Sequence, residues 1–170
     1  MVTATRGRGI RGLGRRRARL APLAAEAAQG LLAGLVGTAV MTASYGVERR
    51  LRGSTGGPLD YDDSTVPSHA AMVVLRIDHL GDVGQRRLGA LVHWGYGSAM
   101  GMVRVLLGRR LRPRDATATY WAGLMAMTGA LFPLLGGTPP PWRWRGSVVA
   151  TSLVQHAVYA ATVGAVVDIT

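Results

Sequence analysis

The chain has 170 residues, of which 48% are hydrophobic, with 24 glycines, no cysteine and a net charge of +11; the length suits one domain. The missing cysteine excludes disulfides, thiolate metal sites and thiol nucleophiles. All the basic residues are arginine, and they crowd beside apolar stretches, seven within Arg6–Arg19 and four within Arg109–Arg114, so a membrane accounts for the charge without nucleic acid as a partner.

Taken in order, the chain starts with a basic tail, residues 1–26, expected on the cytoplasmic side. Over residues 1–19 it interleaves arginines with glycines and cannot bury apolar surface, which predicts disorder. Beside a bilayer, Arg15, Arg16 and Arg17 act as a topology signal and as anchors for anionic lipids. Arg16-Arg17 also fits a twin-arginine export signal, but Glu26 and Gln29 interrupt the approach and more apolar stretches follow, which favours a retained helix.

Residues 27–45 carry no charge and, at about 1.5 Å per residue, are long enough for a hydrocarbon core of about 30 Å. Gly30, Ala33, Gly34 and Gly37 recur at helical spacing and admit another helix at close range. Residues 46–87 form a polar connection. Within it Val66, Ala70, Val73, Val74, Ile77 and Leu80 predict a short amphipathic helix over 66–80, lying at the membrane surface or capping the bundle.

A second span is predicted over 88–107, with Gly97 and Gly101 in small-residue spacing. Arg104, near its far end, is expected to snorkel to the interface. Arg109, Arg110, Arg112 and Arg114 then hold the next loop on the cytoplasmic side. The third span is 117–135. It leads into a Gly- and Pro-rich turn whose Trp142 and Trp144 suit headgroup depth. The fourth is 147–167, and Asp168 after it reads as a solvated carboxylate. The positive-inside rule puts both termini in the cytoplasm. The expected fold is therefore all-α: an integral membrane four-helix bundle, one domain over 27–170, with a short amphipathic helix in its first outer connection.

Chemistry-bearing residues fall on two faces. His93, Tyr96, Gly97, Met100 and Arg104 share one side of the second span, and Ser152, Gln155, His156, Tyr159 and Val163 share one side of the fourth. The histidines lie about 8 Å and about 14 Å below the outer ends of their spans. They predict a polar pocket in the outer half of the bundle, or else neutral imidazoles bonded to neighbouring helices. Haem or a metal between them is the alternative that two imidazoles always raise, and the methionines raise Cu(I), but no spacing demands either. No nucleophile elbow, zinc-protease motif or phosphate loop is present, so no catalytic residue and no cofactor is expected.

The run Phe132-Pro133-Leu134-Leu135-Gly136-Gly137-Thr138-Pro139-Pro140, followed by His156, Tyr159 and Asp168, resembles the YagU-like inner-membrane proteins of bacteria. Gly30-Leu31-Leu32-Ala33-Gly34 and the surroundings of His93 extend the likeness across the four spans, about half the chain. The basic tail and most of the long connection are unmatched. The resemblance implies an inner-membrane location and carries no established activity. It marks His93, Pro133, Thr138, Pro139 and His156 as candidate positions. Separately, the arginine count places the Gly-Gly-Thr-Pro-Pro turn on the outer face, where it is expected to form a lid above the histidines. The function expected is non-enzymatic: structural, stress-related or small-solute. Conduction by so small a chain would require a homo-oligomer.

Overall fold

The computed structural model describes residues 7–52, 65–135 and 138–170. Among these the chain forms α1 (Gly7–Arg52), α2 (Thr65–Leu75), α3 (Asp82–Gly108), α4 (Pro113–Leu135), a 3₁₀ turn at Pro141–Arg143, and α5 (Gly146–Ile169), with no strand. Part of the expected outer connection, 53–64, lies outside the described residues.

Two expectations about helix ends are corrected. The stretch expected to be disordered is helical from Gly7, because α1 is a continuous helix of 46 residues. Arg, Leu and Ala are among the best helix formers, and adding residues to an existing helix costs far less than starting one. The amphipathic helix expected over 66–80 stops at Leu75. There the Arg76 N–H donates to Val73 O at 3.3 Å and the Ile77 N–H to Met72 O at 2.9 Å. Arg76 has a φ of 55°, so these two bonds make a Schellman cap with arginine in the position glycine usually fills.

Among the described residues, three helices are long and apolar enough to cross a membrane: the Ala21–Leu51 part of α1, and all of α4 and α5. α3 has the length, 27 residues, but Arg86, Arg87, His93, Arg104 and its glycines dilute its apolar character, so the span expected at 88–107 is not among them. Large apolar side chains face outward on every long helix, including Leu32 on α1, Leu91 and Leu106 on α3, Leu134 on α4 and Val154 on α5. A helix pair folding in water would turn these residues inward; the pattern is compatible with a small membrane protein.

α1 packs most extensively on α3 and then on α5. α5 also packs on α4, while α3 and α4 touch sparingly, and α2 lies across both of them. α1 and α5 run antiparallel, since Gln29 bonds to Val167 O at 3.1 Å while Glu48 accepts from Thr151 at 2.5 Å; α3 and α5 run parallel, with Tyr159 bonded to Gly97 O and Asp168 to Arg104. The closeness of α1 and α3 depends on glycine. A Cβ on Gly34 would strike the carbonyls of Gly97 and Ser98, and one on Gly101 would strike the backbone of Gly30 and Gly34. Ala33, Tyr120, Leu124, Tyr159, Ala160 and Val163 form the buried core.

Candidate functional site

Where α3 and α4 diverge, the interior opens into a cavity of about 410 Å³ to which all five helices contribute, within the roughly 300–1,000 Å³ of known ligand pockets. α1 supplies Thr38 and Met41, and α2 supplies Ala70, Ala71, Val74 and Leu75. α3 gives Val92, His93, Tyr96, Gly97 and Met100; α4 gives Leu124, Met127, Thr128, Leu131 and Leu135; α5 gives His156 and Tyr159. Val74, Leu75, Tyr96 and Leu131 are also exposed, which sets the mouth between α3 and α4, alongside α2.

The polar atoms of this lining are engaged within the protein. His156 Nδ1 lies 2.8 Å from Ser152 O, an atom that only accepts, so Nδ1 carries the proton. In the neutral ring Nε2 then accepts from the Thr128 hydroxyl at 3.0 Å. Thr42 donates to Thr38 O at 2.7 Å, leaving its oxygen to accept from His93 Nε2 at 3.1 Å. His93 thus turns an Nε2–H towards Thr42, and His156 an Nδ1–H towards Ser152 O. Tyr96 donates to Met127 Sδ at 3.0 Å, Tyr120 to Tyr159 at 3.2 Å, and Tyr159 to Gly97 O at 2.5 Å. Thr38 donates to Gly34 O at 2.8 Å. What the cavity offers a guest is hydrocarbon, thioether and ring surface.

Of the residues predicted from the sequence, His93, Tyr96, Met100, His156 and Tyr159 line the cavity. Ser152 is fully buried and orients His156 instead of lining the space. Pro133, Thr138 and Pro139 do not line it. α2 contributes Ala70, Ala71, Val74 and Leu75 to the lining instead; of the turn expected there, Gly136 and Gly137 lie outside the described residues, and Pro141 after it comes near Gly129 of α4. Sequence reasoning missed Thr38, Thr42 and Thr128, although threonines within apolar stretches were a visible signal. It also missed Leu124 and the α2 residues, which only packing brings in.

A second polar system lies at the opposite end, beside the α3–α4 turn. Arg104 is fully buried. Its Nε donates to Thr117 at 3.1 Å, and Nη2 donates to Pro113 O at 3.2 Å and to both carboxylate oxygens of Asp168 at 2.8 and 3.0 Å. Its Nη1 has no hydrogen-bond partner among the described residues. This corrects two expectations: Arg104 does not snorkel, and Asp168 is not simply solvated. The guanidinium faces α4 and α5, where an unpaired charge is costly, and the end of α5 brings the carboxylate within reach.

Among the predicted anchors, Arg109 pairs with Glu26, while Arg110 and Arg112 are exposed. Trp142 is 82% exposed, whereas the Trp144 indole is tied to Pro139 O at 2.6 Å. The side chains of Arg15, Arg16 and Arg17 lie outside the described residues. No group of three or more His, Asp or Glu side chains suited to a metal ion occurs among the described residues. The chain matches no protein-family model, no curated protein and no solved structure in the three comparisons made.

Proposed function

We propose that this chain is a small multi-pass membrane protein that binds an apolar molecule drawn from the bilayer and catalyses no reaction. In this reading α1, α3, α4 and α5 all cross the membrane as a four-helix bundle, α3 being carried by its neighbours. The arginine distribution puts both termini on the cytoplasmic side, with Arg110 and Arg112 against anionic headgroups. A bacterial inner membrane follows from the YagU-like resemblance alone.

The observation that carries the binding reading is a cavity of about 410 Å³ whose hydroxyl and imidazole groups bond to the protein itself. Such a site gains its affinity from apolar burial at about 25 cal/mol per Å². A haem or metal ligated by His93 and His156 has less support, since Thr128 already occupies the His156 Nε2 lone pair. A Soret band that disappears in His156→Ala would reverse that order.

The test is a titration of detergent-purified protein with 1-aminoanthracene, whose fluorescence rises in dry apolar sites. Saturable binding is expected in the wild type and in Leu32→Trp on the outer face, and not in Met127→Trp, which fills the cavity. Equal, non-saturating uptake by all three proteins would refute the reading.

A further inference from the structure

We propose that the cavity's ligand is an amphiphile with one hydrocarbon chain and an anionic head, the chain entering between α3 and α4 and the head held by Arg76. This rests on the apolar-binding reading and narrows it to a ligand class.

The first support is the cavity's shape and position. Its mouth lies where α3 and α4 touch sparingly, between Tyr96 on α3, Leu131 on α4 and Val74 and Leu75 on α2. All of these side chains remain partly open to the outside of the helix bundle. A molecule that enters here comes from the side, along surfaces that are themselves apolar, so a chain already dissolved in lipid reaches the cavity without crossing water. A volume of about 410 Å³ has room for one such chain. Inside, no polar lining atom competes for the chain.

The second support is independent of the cavity. Arg76 directly follows Leu75 and has a φ of 55°, where an L-residue is strained and glycine is not. A non-glycine residue kept at such a φ points to a role for its side chain. Here the side chain is an exposed guanidinium one residue from the mouth, on a flexible stem suited to a carboxylate or a phosphate. A cation at this position also suits the C-terminal end of the α2 dipole, but that preference is met at any residue of the last turn and does not require the strained one.

The experiment uses full-length protein in phosphatidylcholine nanodiscs, with a palmitate analogue carrying a diazirine in mid-chain and its neutral alcohol counterpart. Mass spectrometry should place the photo-adducts on Met100 and Leu124. Adducts should be lost in Ala71→Trp and also in Val74→Trp, an exposed position where a larger side chain is easily folded. Arg76→Gly should raise the melting temperature, yet weaken palmitate labelling several-fold and leave the alcohol unchanged. Competition by unlabelled palmitate or by lysophosphatidate separates a carboxylate head from a phosphate head. Adducts confined to outer-face residues such as Leu91 and Leu134, or labelling indifferent to Arg76→Gly, would overturn the proposal. Binding of 1-aminoanthracene without palmitate adducts would overturn it while leaving the broader reading in place; binding of neither would remove both.

Discussion

Arg104 shows how much of this structure depends on single side chains meeting across long stretches of sequence. Removing one member of a buried ion pair strands the other, at a cost of about 3 kcal/mol, whereas replacing both with apolar groups is often close to neutral. Arg104→Met and Asp168→Leu should each lower stability by about that amount, with Arg104→Met at the smaller end because the carboxylate it strands is 34% exposed, whereas Asp168→Leu strands a fully buried guanidinium. The double variant should fall short of the sum by about 1–3 kcal/mol. Denaturation in detergent, followed by tryptophan fluorescence, measures all three; strict additivity would show that the pair contributes nothing as a pair. At this scale the sequence was legible only in part. His93, Tyr96, Met100, His156 and Tyr159 could be placed together because helical spacing puts each set on one face. Arg104 and Asp168 lie 64 residues apart, and each has an ordinary explanation alone, a snorkelling cation and a wet carboxylate. Only tertiary packing makes them partners.

The long helices were readable from uncharged runs, and the approach of α1 to α3 from their glycines. Inserting side chains into that crossing forces the helices apart, so Gly34→Val and Gly101→Val should each destabilise by about 1–3 kcal/mol. Gly46, also in α1, has nothing within 4 Å of where its Cβ would stand. Gly46→Ala should therefore stabilise by about 0.5–1 kcal/mol through helix propensity alone. Thermal melts of the three variants check both signs, and a destabilising Gly46→Ala would mean that its face is occupied. The ends of α1 and α2 were less legible. Whether a basic, glycine-rich stretch continues a helix depends on the helix it joins. The end of α2 depends on Arg76 accepting a conformation that its residue type disfavours.

For the molecule as a whole, the arrangement about the bilayer proposed above rests on the distribution of charge. The chain contains no cysteine, so single cysteines report sidedness without interference. In intact cells His79→Cys and Trp142→Cys should react with an impermeant maleimide, and Arg110→Cys should react only after lysis; the opposite pattern would invert the topology. The cavity's roof was legible in part: the spacing of Val66, Ala70, Val73 and Val74 marked α2 as an amphipathic helix that could cap the bundle, but only its packing on α3 and α4 places it over the cavity. The ion pair, finally, has a consequence in time. At a synthesis rate of about 5–20 residues per second, the 64 residues between Arg104 and Asp168 take roughly 3 to 13 s to emerge. During that interval α3 carries a charge whose counter-ion does not yet exist, and it is also the long helix whose own apolarity falls short of the membrane-crossing mark. A chain ending at Val166 would prolong that interval indefinitely. Its cellular half-life should drop in a pulse-chase measurement, and Arg104→Met in the same shortened chain should restore it. That pair of results would make the carboxylate of Asp168 the last element needed for the chain to persist in the cell.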